Sequence, residues 1–150
     1  MHYFGHGGPD IWADEHLLTT TRVQQLGPAL KPAIVFNWAC SSGWFPNLWG
    51  NSVNEELVLT PGGGALASFG PVGITSPAAQ RMMYEAFYPE FYSDRTIGEA
   101  IVTAKRSAGV MHPAARDVIE GFALLGDPAL RLPLPASLGV RRPCLACPDR

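Results

Sequence analysis

Two short stretches hold the side chains best suited to chemistry. They are Gly5-His6-Gly7-Gly8 near the start of the chain and Trp38-Ala39-Cys40-Ser41-Ser42-Gly43 further on. An imidazole and a thiol brought together are the parts of a nucleophilic dyad, in which sulfur attacks a carbonyl carbon and the ring handles the proton. Each stretch follows an apolar run, His2-Tyr3-Phe4 and Ala33-Ile34-Val35-Phe36-Asn37-Trp38. In open α/β sheets ligands sit beyond the carboxyl ends of the strands. If the two runs are parallel neighbours joined by a helix near Thr20 to Leu26, His6 and Cys40 emerge on one rim. Either residue alone has a plainer reading, since a cysteine that ends an apolar strand is most often a small buried hydrophobe. Their joint placement at consecutive strand ends is what points to catalysis.

The glycines fit the same chemistry. Without a β-carbon, Gly7 lets a substrate backbone come close and aims its amide at a carbonyl oxygen. Paired with the amide of Cys40, it would form an oxyanion hole. A His2/His6 metal pair would need the strand to continue unbroken, and Gly5 interrupts it, so no metal site is assigned.

The elements that must position these residues alternate between strand and helix, which argues for an α/β layout with a mostly parallel sheet. Strands are expected at His2-Tyr3-Phe4, Ala33 to Trp38, Ala65 to Phe69 and Phe122 to Leu125. Their continuous apolar character suits strands covered on both faces. Ser52-Val53-Asn54-Glu55 and Thr96-Ile97-Gly98-Glu99 read as capping boxes that open helices. Ser76-Pro77 reads as an N-cap followed by an N1 proline, opening a helix with Met82, Met83, Ala86 and Phe87 that Pro89 should end or kink. A shorter helix is expected from Pro113 to about Glu120, and a turn at Gly126-Asp127-Pro128.

The 150 residues suit one domain, and 47% apolar content is enough for a sizeable core. The 11 basic and 13 acidic residues are spread without runs and give a net charge of -2, so a nucleic-acid partner is not expected. No apolar stretch approaches the roughly 20 residues needed to span a bilayer, and no signal-peptide pattern is visible. Cys40, Cys144 and Cys147 define no disulfide framework. The Cys144/Cys147 pair reads as part of a loose tail or as half of a zinc ribbon, and a metal-binding protein built on it is the remotest functional reading. The domain is expected to cover residues 1–135, with a disordered tail over 136–150.

Gly5-His6-Gly7, followed by Trp12-Ala13-Asp14 and Leu18-Thr19-Thr20-Thr21, resembles the histidine segment of the gingipain-type cysteine peptidases, family C25 of the caspase-like clan. Ala39-Cys40, with Gly43 and Phe45 nearby, looks like the nucleophile segment. Gly64-Ala65-Leu66-Ala67-Ser68-Phe69-Gly70 looks like the following core strand and turn, and Leu125-Gly126-Asp127-Pro128 like the closing motif. Each motif alone is weak, but several in order and at the right spacing are specific. The resemblance runs from Tyr3 to about Leu134.

It implies a caspase-like, gingipain-like sheet flanked by helices. Because the clan's sheet has two strands before the one that ends in histidine, it also implies that the first strands are lacking here. By the same resemblance His6 is the general acid that protonates the leaving amine, Cys40 is the nucleophile that forms an acyl-enzyme, and the amides of Gly7 and Cys40 hold the oxyanion. The implied function is a cysteine endopeptidase acting on protein or peptide. A sorting transpeptidase of the same family and a truncated, non-catalytic caspase-like interaction module are the alternatives.

Trp12, Asp14 and Trp44 are assigned to substrate contact. Asp14 with Glu15 also reads as a solvated loop or helix start, and Trp44 with Phe45 and Trp49 as simple packing. No cofactor is required, structural calcium is implied as an option, and a secreted or cell-surface location follows from the family. The acidic residue with which some members read a basic side chain belongs to the part lacking here, and Gly70-Pro71-Val72-Gly73-Ile74-Thr75 lacks the tryptophan that lines the gingipain specificity pocket, so the resemblance does not support Arg or Lys specificity.

Overall fold

The computed structural model describes residues 1–27, 33–62 and 64–131. The Cys144/Cys147 pair and the expected tail over 136–150 lie outside them. In chain order the elements are β1 (His2–Phe4), β2 (Ile11–Trp12), β3 (Leu18–Thr19), α1 (Thr20–Gln24), β4 (Ala33–Trp38), α2 (Val53–Leu59) and β5 (Ala65–Pro71). Helices α3 (Pro77–Phe91) and α4 (Ile97–Met111), a 3-10 turn (Pro113–Ala115), α5 (Arg116–Glu120) and β6 (Phe122–Gly126) follow. The main sheet has the order β1-β4-β5-β6. Its first three strands are parallel, and β6 runs antiparallel to β5.

Alternation along β4 divides the core between two faces. Phe36 and Trp38 pack with Phe69, with Met83, Phe87 and Phe91 of α3, and with Ile97, Ile101, Ala104 and Ala108 of α4. Val35 faces the other way, onto Val23 of α1, Val53 and Leu57 of α2, and Trp12. Both capping boxes form: Ser52 and Thr96 accept from the amides of Glu55 and Glu99, whose carboxylates bond back to the cap amides.

Two expectations need correction. Pro89 does not end α3, which continues to Phe91. An interior proline costs a helix about 3 kcal/mol, but here the last turn is held by packing: Phe91 lies 4.9 Å from Phe36 and 5.1 Å from Phe87, ring centroid to centroid. The helix near Thr20 is shorter than expected and stops at Gln24. Asp14 and Glu15, expected in a loop or at a helix start, lie in the turn of a two-stranded β2/β3 hairpin, with Ala13 and His16 at φ 58° and 56°.

His2 is a structural residue. Its ring stacks on Phe36 at 4.8 Å, and Nδ1 lies 2.9 Å from the Tyr88 hydroxyl. Burial, helped by the terminal ammonium, pushes its pKa below the ordinary 6.5. Protonation is therefore penalised in the folded state. The stability His2 contributes is present above that ordinary value and is lost as pH falls below it. Denaturant midpoints at about pH 7.5 and about pH 5 should differ more for the native chain than for His2→Phe. An identical pH slope in both would remove His2 as the source.

Candidate functional site

Parallel pairing of β1 with β4 sets Phe4 opposite Trp38. His6 and Cys40 each lie two residues beyond this pair, so the two strands deliver them at the same level of one rim. The backbone of His6 is fixed from two sides, its carbonyl accepting from the Tyr3 hydroxyl at 2.7 Å and from the Ala13 amide at 3.0 Å. The Tyr3 ring is itself held by stacking on Trp12 at 4.3 Å and 3°. The residue at position 6 is exposed, so its ring stands at the mouth of the rim on an anchored backbone.

On the β4 side, Ala39 is fully buried and Cys40 half-buried. The chain then turns sharply through Ser41, a non-glycine residue at φ 54°. Such a conformation persists where the surroundings over-determine it, and here they do. The Ser41 amide donates to Gly73 O at 2.9 Å, Gly43 donates to Pro71 O at 3.0 Å, and the buried Ser42 hydroxyl donates to Ala39 O at 3.1 Å. The Ser42 carbonyl accepts from the Asn54 amide at 2.9 Å, which ties the turn to the start of α2. Beneath it Asn37 and Asn54 are fully buried and bond to each other through their side chains. The Cys40 thiol donates to the Thr75 carbonyl at 3.2 Å and lies 4.0 Å from the Thr75 hydroxyl.

The two rims touch. A β-carbon added at Gly7 would lie 2.9 Å from Ala39 Cβ, 3.2 Å from Cys40 O and 3.4 Å from Ile11 O. Gly7 is thus required for space, and its lack of a side chain is what lets the histidine loop rest against the cysteine turn. The bonds that pin these loops come from the amides next to Gly7 and Cys40: Gly8 N to Ile11 O at 2.9 Å and Ser41 N to Gly73 O.

His6 and Cys40 line one cleft of about 430 Å³, together with Phe4, Gly5, Thr75, Pro77, Gln80, Arg81 and Tyr84. Of the residues assigned to substrate contact, Trp12 is 6% exposed and belongs to the core as the stacking partner of Tyr3. Asp14 is exposed in the β2/β3 turn. Trp44 is half open and lines a separate depression with Trp49, Asp10, Asn47 and Glu56. The cleft wall comes instead from β1 and from the start of α3. No signal in the sequence marks this face of α3 as a wall, although Gln80, Arg81 and Tyr84 share it at helical spacing. Among the described residues no cluster of three or more His, Cys, Asp or Glu could hold a metal ion, and no helix is long and apolar enough to cross a membrane.

The model of peptidase family C25 matches residues 1–133. No curated protein matches the chain by sequence. Among solved structures the chain is similar to a protease, with TM-score 0.72 and 19% identity over 86% of this chain and 34% of the other. It is also similar to the Arg-specific cysteine proteinase gingipain R, with TM-score 0.68 and 23% identity over 86% of this chain and 32% of the other. A complex of the pro- and mature domains of RgpB from Porphyromonas gingivalis matches with TM-score 0.69 and 24% identity over 86% and 33%. The fold is that of the caspase-like gingipain domain, and the chain spans about a third of the length of these structures.

Proposed function

Because the chain belongs to peptidase family C25, we propose that it carries the nucleophile and histidine of a cysteine endopeptidase acting on protein or peptide substrates. One observation carries this reading: His6 and Cys40 follow paired parallel strands at the same offset and open into one cleft. Turned from the Thr75 carbonyl toward a bound peptide, the Cys40 sulfur passes its proton to His6 and, as thiolate, attacks the scissile carbonyl carbon. The carbonyl oxygen becomes an oxyanion facing the amides of Gly7 and Cys40. Collapse breaks the C–N bond, His6 delivers a proton to the departing amine, and a thioester to Cys40 remains. Water then attacks the thioester and restores the thiol. An acceptor amine in place of water would give transpeptidation through the same intermediate.

Domain extent, cofactor needs and location follow the same reading. Residues 1–135 belong to the catalytic domain, no cofactor takes part in the chemistry, calcium has at most a structural role, and the protein works outside the cell or at its surface.

Alkylation tests the dyad directly. Alkylation proceeds through the thiolate, and a base in the same cleft assists its formation as the reagent enters. At neutral pH, iodoacetamide should therefore modify Cys40 about tenfold faster than Cys144 or Cys147, read by peptide mass spectrometry. Equal rates at the three cysteines would favour the non-catalytic module.

A further inference from the structure

From the cleft beside the Cys40 sulfur we infer that the residue on the acyl side of the scissile bond is a large uncharged apolar one, aromatic above all. The inference rests on the proposed dyad for what the cleft is used for, and on the cleft's own composition for what fits it. Its walls are mostly rings and aliphatic surface. Phe4 is 55% exposed, its ring edge-on to Tyr84 at 5.6 Å and stacked over Trp38 at 6.0 Å. Pro77 and Tyr84 continue this surface along the start of α3. About 430 Å³ is ample for a phenylalanine or tyrosine side chain. Edge-to-face and offset-stacked contacts would reward an aromatic ring there beyond the area it buries.

The charges among these residues favour neither of the charged classes. The described residues lining this cleft include no carboxylate, and their one formal cation is Arg81. Among these residues a lysine or arginine side chain would meet a like charge and no counter-ion to offset its lost hydration. An aspartate or glutamate would meet a guanidinium already engaged by Glu85 at 2.7 Å, in a pair open to solvent on both sides, and would have to compete for it. Of the polar groups, the Gln80 amide donates to the Thr75 hydroxyl at 2.7 Å. Most of the remaining lining is apolar surface.

Two measurements test this, and they separate its failure from that of the dyad. In the first, the intact chain is treated with N-blocked peptidyl acyloxymethyl ketones that carry Phe, Arg or Asp next to the ketone. The Phe reagent should modify Cys40 about tenfold faster than the other two, and Tyr84→Ala should erase the preference. Faster modification by the Arg or Asp reagent overturns the inference and leaves the peptidase reading standing. The second needs no reaction. In the Cys40→Ala chain, N-acetyl-phenylalaninamide should shift the backbone amide resonances of Thr75, Gln80 and Tyr84, and N-acetyl-argininamide should not. The opposite pattern, or no shift with either, overturns the inference whatever the thiol does.

Discussion

Replacing His6 by alanine is expected to slow amide cleavage by about 10²–10⁴, the range that a positioned acid or base supplies. Cys40→Ala should remove turnover through the acyl-enzyme altogether. The choice of substrate makes the result diagnostic. An amine leaves only when protonated, whereas a thioester releases a thiolate without help, so His6→Ala should harm an amide substrate far more than the matching thioester. Equal losses on the two would assign His6 to activating the thiol alone. The double variant should be no slower than Cys40→Ala, because groups that act as one unit are not additive. Tyr3→Phe provides a graded companion. It removes the 2.7 Å bond to the His6 carbonyl and keeps the stack on Trp12. An ordinary hydrogen bond contributes about 0.5–1.5 kcal/mol, so this variant should fold and lose only part of the rate.

The rim that joins His6 to Cys40 was readable from the sequence because it depends on strong local signals. β1 and β4 are continuous apolar runs that end in glycine or small residues, and their parallel pairing at equal offset follows from the α/β alternation. Both capping boxes were readable for the same reason, since Ser52/Glu55 and Thr96/Glu99 act within one turn. What escaped depends on contacts between distant segments. The two-residue strands of the β2/β3 hairpin have no period to detect; their anchor is the Tyr3–Trp12 stack, a pairing across the fold. Trp12 looked like a cleft wall because it follows the histidine loop. It is core because Tyr3, one strand position from Phe4, offers it a flat partner. The start of α3 was legible as a helix but not as a wall. Its apolar stripe faces Phe36 and Phe69, and the neighbouring face, with Gln80, Arg81 and Tyr84, meets the cleft only because β5 and Val72 to Ser76 bring the helix back beside Cys40. The continuation of α3 through Pro89 is another tertiary override, in which Phe87 and Phe91 outweigh one lost backbone bond.

Gly7→Ala should be a damaging single-methyl change at the rim of the cleft. The added carbon would stand 2.9 Å from Ala39 Cβ and 3.2 Å from Cys40 O, and neither can move alone, because Ala39 is buried and Cys40 leads into the strained Ser41 turn. The loops must part, which carries the Gly7 amide away from the position proposed for the oxyanion. Loss of one such donor costs about 10²–10³ in rate, and overpacking costs about 1–3 kcal/mol of stability. The two effects separate on measurement. If the amide is an oxyanion donor, acylation by a peptide substrate falls at temperatures where circular dichroism shows the variant folded, while iodoacetamide still reaches Cys40, because alkylation passes through no oxyanion. Parallel losses in both reactions would mean that the methyl merely disorders the rim. Gly8→Ala supplies the scale: its β-carbon would meet only Ile11 Cγ2, at 3.3 Å, the end of a side chain that can yield, so its effect on acylation should be small.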